Sequence, residues 1–142
     1  MPSQFASSII LATHNAGTQS LSGSSWTQRT FDTVDKDSGG YWASNTYTPL
    51  VAGWYLATYL DAIATPNGTF NYANAIYKNG SLYVANYQFT STSTYILSFN
   101  STAIIQMNGS TDALTFYMYN GGGSTGTAQG TGYSFVSIIR VF

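Results

Sequence analysis

The chain has 142 residues, the length of one domain, and carries only 6% charged residues against 44% hydrophobic and 16% aromatic, with 12 Tyr and no Glu. Four basic residues and a net charge of −1 leave no basic surface to neutralise a phosphate backbone, so nucleic acid is excluded as a partner. No run approaches the ~18 apolar residues of a membrane span, and zero cysteines exclude a disulfide scaffold, thiolate catalysis and cysteine-ligated zinc.

Met1-Pro2-Ser3-Gln4 has no basic region leading into an apolar stretch, which predicts no signal peptide and leaves residues 1–6 as an N-terminal arm. Period-two alternation, rich in Tyr, Thr, Val, Ile and Phe, then predicts strands over residues 7–13, 25–31, 46–49, 54–63, 70–77, 82–89, 94–99, 104–107, 113–119 and 133–142. Residues 54–63 are apolar on both faces, the pattern of a central strand covered on two sides. Asn-Gly recurs at Asn67, Asn79, Asn108 and Asn120. The pair tolerates the positive φ of tight hairpins, and the clearest hairpin joins 70–77 to 82–89 around Asn79-Gly80. Residues 32–40, with Asp32, Asp35, Lys36 and Asp37, read as irregular; residues 121–132, rich in Gly, Ser and Thr, read as a long mobile loop. No window carries a capped 3.6-residue stripe. The expectation is a single all-β domain over 1–142, a two-sheet antiparallel sandwich or jelly roll.

Ordered landmarks narrow this. Trp26-Thr27 leads to Thr30-Phe31-Asp32-Thr33, then Asp35 and Gly39-Gly40-Tyr41-Trp42. Pro49-Leu50-Val51-Ala52-Gly53-Trp54-Tyr55 enters the central strand. Ile76-Tyr77-Lys78-Asn79-Gly80 forms a hairpin, Asp112 to Asn120 a penultimate strand, and Ser134-Phe135-Val136-Ser137-Ile138-Ile139 the terminal one. The set resembles the jelly roll shared by the complement globular heads and tumour necrosis factor, and more closely its phage and prophage members. Ala57 departs from the Phe usual in complement heads, and no collagen-like stalk is present in the sequence. The resemblance implies a homotrimer, with Tyr117 and Tyr119 near the three-fold axis. It also implies a structural component of a phage virion, a knob or decoration (cement) protein bound to other capsid or tail proteins. The alternative is a receptor-binding tail-fibre or spike head recognising host surface glycan.

A physical argument points the same way. The last strand sets Phe135, Ile139 and Val141 against Val136, Ile138 and Phe142, and the penultimate one sets Leu114, Phe116 and Met118 against Tyr117 and Tyr119. One face of each strand fills the sandwich; the second needs a partner, and another copy of the chain is the simplest. Tyr117, Tyr119 and Phe142 are therefore the trimer-interface candidates. Tyr41 and Trp42 are the candidates for stacking on sugar rings, beside other aromatics such as Trp26, Tyr72, Tyr83 and Tyr87.

Chemistry is sparse. His14, the single histidine, is followed by Asn15-Ala16-Gly17 and reads as a turn residue, without a local triad. Asp32, Asp35 and Asp37 fail the spacing of a calcium loop and enclose Lys36. Asp61, on an apolar strand, calls for Arg29 or Arg140 as its partner. The four Asn-x-Ser/Thr sequons read as turn chemistry rather than glycan sites. No catalytic residue, metal or cofactor is expected.

Overall fold

The computed structural model describes residues 9–64, 70–89 and 96–142; the N-terminal arm and the Asn67-Gly68 turn lie outside them. In chain order the strands are β1 (Ile10–His14), β2 (Gln19–Leu21), β3 (Ser25–Gln28), β4 (Thr33–Asp37), β5 (Trp42–Ala43), β6 (Thr46–Tyr47), β7 (Gly53–Ala64), β8 (Asn71–Lys78), β9 (Ser81–Phe89), β10 (Ile96–Met107), β11 (Leu114–Asn120), β12 (Gly126–Ala128) and β13 (Phe135–Arg140). They form two antiparallel sheets, the sandwich expected from the alternation.

β7 is the spine of the seven-stranded sheet. It pairs along its whole length with β10 on one side, and with β13 and then β12 on the other. β1 and β4 continue beyond β13, and β2 beyond β12. In the six-stranded sheet β11 is central, flanked by β8 and β9 on one side and by β3 and β6 on the other, with β5 outside β6.

Inward positions of both sheets meet in two clusters. The larger holds Leu11, Phe31, Tyr47, Tyr55, Ala57, Tyr59, Ile76, Ile105, Met107, Leu114, Phe116, Val136 and Ile138. The smaller joins Leu21, Ile63, Tyr72, Leu97, Phe99, Met118 and Ala128. The larger cluster is rich in aromatics, and edge-to-face contacts such as Tyr59 on Phe116 (5.3 Å between centroids) and Phe31 on Tyr59 (6.1 Å) set its ring geometry.

The structure corrects several local expectations. Residues 33–37 are strand, not irregular: β4 is the far edge of its sheet, where charges discourage further pairing. The strands expected at 94–99 and 104–107 are, over the described residues 96–107, one strand, β10; residues 94 and 95 lie outside the described residues. Residues 121–132 are no open loop. They contain β12, inserted between β2 and β7, with Gly126 and Ala128 buried. A Cβ on Gly121 would sit 1.9 Å from the Asn71 carbonyl oxygen, so the backbone there needs glycine for close approach. Of the described Asn-Gly pairs, only Asn79-Gly80 has both residues at positive φ (52° and 77°). Ser44-Asn45 (50° and 59°) makes a second such turn, between β5 and β6, with no glycine to announce it.

Candidate functional site

The outer face of the seven-stranded sheet is assembled from distant parts of the chain. Register places Ile10, Ile139, Leu56 and Ile104 in one row across β1, β13, β7 and β10. The next row is Ala12, Ser137, Thr58 and Thr102, and the third His14, Phe135, Leu60 and Asn100. Trp54 lies beyond the first row, paired with Gln106. None of these positions holds Asp, Lys or Arg. Trp54 is 41% exposed, Ile104 54% and Phe135 40%. An antiparallel sheet facing water usually shows polar side chains there; this face instead sets one aliphatic row, with Trp54 and Phe135 flanking it, among small and polar neighbours.

The outer face of the six-stranded sheet is built differently. Tyr119 lies between Trp26 and Ala73, with Tyr87 beyond, and Tyr117 lies between Gln28 and Ala75. The small alanines are fully buried beneath rings that close on one another. Trp26 meets Tyr119 at 5.2 Å, Tyr77 at 5.9 Å and Tyr87 at 6.1 Å, and Tyr77 meets Tyr117 at 4.3 Å. The result is an uncharged aromatic platform.

Between the sheets lies a fully buried ion pair. Arg29 Nε donates to Asp61 Oδ2 at 2.6 Å, and both side chains have no exposure. Arg29 Nη2 reaches Gln129 O (3.0 Å) and Ser134 Oγ (3.2 Å), Nη1 donates to Gln19 Oε1, and Tyr59 OH and the Ala62 amide also donate to Asp61. Burial disfavours the guanidinium, but the Asp61 charge and its hydrogen bonds outweigh it and hold Arg29 above its ordinary value. Arg29, not Arg140, is thus the partner of Asp61. Arg140 instead donates to Ala52 O. The network ties 19, 29, 61, 129 and 134 together, with the side chains of Arg29 and Asp61 at no exposure.

The sequence candidates fall in separate places. Tyr117 and Tyr119 belong to the aromatic platform. Phe142, 72% exposed, ends the chain on the opposite sheet, its carbonyl accepting from the Trp54 amide at 2.9 Å. Tyr41 and Trp42 are half-buried and spend their rings on the core: Trp42 on Phe31 and Phe116, Tyr41 on Tyr47. The three clustered aspartates go to separate partners. Asp32 accepts from the Ala16 amide, which holds its carboxyl below the usual range; Asp35 meets His14; Asp37 accepts from the Trp42 amide. Among the described residues no group of three His, Cys, Asp or Glu side chains could hold a metal ion. His14 does have a carboxylate, Asp35 Oδ2 at 2.7 Å, which local sequence did not reveal because β1 and β4 meet only in the fold. Among the described residues no hydroxyl is hydrogen-bonded to this imidazole. The aliphatic row was missed for the same reason, since its members are scattered from residue 10 to residue 139.

No family model and no curated protein matches the sequence. Solved structures do match. The Eiger TNF of S. frugiperda superposes with a TM-score of 0.74 at 10% identity, over 95% of this chain and 93% of that one. Murine APRIL at pH 8.0 gives 0.72 at 11% identity, over 94% and 99%, and at pH 5.0 gives 0.71 at 11%, over 93% and 98%. The two antiparallel sheets described above are thus arranged as the jelly roll of the tumour necrosis factor fold.

Proposed function

We propose that the chain is a non-enzymatic structural component of a bacteriophage virion, a homotrimeric knob or decoration module on capsid or tail. Its copies pack through the outer face of the seven-stranded sheet. The observation that carries the self-association is the aliphatic row of Ile10, Ile139, Leu56 and Ile104, extended by Trp54 and Phe135. Exposed to water it costs free energy in every copy, and a symmetric contact removes that cost for all of them. This places the contact away from Tyr117 and Tyr119, whose rings already cover the other sheet, and keeps Phe142 near it. With 6% charged residues such a contact is held by apolar burial and hydrogen bonds, which salt scarcely weakens. The virion setting rests on the phage-like order of sequence landmarks. The non-enzymatic reading leans on the Arg29–Asp61 pair, whose side chains have no exposure to a substrate.

Light scattering tests the assembly: three copies of a 15.3 kDa chain give about 46 kDa, and a stable species at the single-chain mass overturns it. Virion proteomics tests the setting, with many copies per particle expected. A second reading, a head that binds host glycan, is favoured by the uncharged platform of Trp26, Tyr77, Tyr87, Tyr117 and Tyr119, the side-chain type that stacks on sugar rings. Selective glycan-array binding that is lost in Tyr87→Ala would establish it over the structural role.

A further inference from the structure

Strand β10 is an edge: among the described residues its only ladder partner is β7. Twelve residues of open edge offer a long row of backbone groups to any extended segment that arrives. In this molecule the row is occupied from the opposite sheet. Gln88 Nε2 donates to Ser98 O at 2.9 Å, and Asn86 Nδ2 to Asn100 O at 3.1 Å. Tyr83 OH donates to Ile104 O at 3.4 Å, and Lys78 Nζ to Gln106 O at 2.7 Å. The acceptors are all even-numbered residues of β10, whose carbonyls point away from β7. The donors all belong to the β8–β9 hairpin, and Asn86 and Gln88 stand two apart, on one face of β9.

We propose that Lys78, Tyr83, Asn86 and Gln88 form a closing ladder that denies the β10 edge to strand addition by a second copy of the chain. An added strand gains its affinity from main-chain hydrogen bonds. Here the carbonyls it needs are already bonded, and an arriving strand must first displace the four side chains that hold them. Edges in other proteins are guarded largely by charge. This chain has few charges, and Lys78 is the single charged member of the ladder; amides and a phenol do the rest. The outward side chains of β10, among them Ser98, Asn100 and Thr102, add no charge of their own. The ladder's role is independent of the oligomer proposed above, because it concerns the sheet edge and not the sheet face.

The test is hydrogen exchange on the full chain with and without a peptide of the β7 sequence, residues 53–64, carrying terminal lysines for solubility. In the wild type the peptide should leave exchange at residues 96–107 unchanged. In Asn86→Val/Gln88→Val, confirmed folded by near-ultraviolet circular dichroism, it should slow exchange there about tenfold or more. Protection of 96–107 in the wild type, or none in the folded variant, overturns the proposal. If that variant does not fold, Tyr83→Phe with Lys78→Met removes the other two donors with little loss of packing and is read by the same two outcomes.

Discussion

The two outer faces of the sandwich solve one problem in opposite ways. Both are poor in charge, and both would expose apolar area to water. The six-stranded sheet covers its own: Trp26 and four tyrosines fold over Ala73 and Ala75, ring against ring. The seven-stranded sheet carries Ile10, Ile139, Leu56 and Ile104 in one straight row with no such canopy. Long aromatic side chains can reach across a strand to a neighbour, whereas short branched ones stand upright and leave their ends bare. Hydrophobic content alone therefore does not mark a contact face; what matters is whether the side chains can satisfy one another.

That contrast can be broken most sharply at Leu56, the middle of the aliphatic row. In the proposed trimer three unpaired carboxylates would be buried at the contact, so Leu56→Asp should leave a folded single chain. A loss above about 4 kcal/mol, roughly a thousandfold in association, is expected by light scattering. Arg29→Met strikes between the faces. It strands Asp61 without its partner and should cost about 3 kcal/mol of unfolding free energy in denaturant titration, weakening assembly only through the fold. Trp26→Ala, on the aromatic face, should cost about 2 kcal/mol by the same measurement and leave the assembled mass unchanged, the reverse of the Leu56 result. The smallest effect belongs to neither face. Asn79, Lys78 and the Asn108 amide hold the Asp112 carboxyl below its ordinary value of 3.8, and the Ala16 amide does the same for Asp32. A depressed folded value means stability that is complete above 3.8 and lost as pH falls through the depressed values. Thermal melts should be flat in this contribution down to that point and then decline, less steeply in Asp112→Asn.

What the sequence disclosed follows from what period-two alternation can express. β7 was legible because its inward Tyr55, Ala57 and Tyr59 alternate with outward residues that are themselves apolar. β10 reads as two strands in the sequence because Ser101 interrupts its inward run. In the fold that hydroxyl is buried and donates to Asn74 Oδ1 at 2.8 Å, a partner that sequence does not supply. β4 hid behind Asp35, Lys36 and Asp37, since edge strands and loops share a charged composition. The stacking candidates Tyr41 and Trp42 illustrate another limit: pattern identifies aromatics, but only packing shows that their rings are spent on Phe116 and Tyr47. The aliphatic row required four strands to be laid side by side, which no local pattern encodes.

The strand hidden in the glycine-rich segment bears on how the protein could be engineered. Residues 121–132 are the obvious place to graft a displayed peptide, yet an insertion at Gly126–Ala128 would pull apart two ladders at once and unseat Ala128 from the smaller core cluster. The tip at Gly80 is the better graft point. A Cβ there meets nothing within 4 Å, but the φ of +77° calls for glycine, so a graft should keep Gly80 and enter beside it, where foreign sequence can leave the surface.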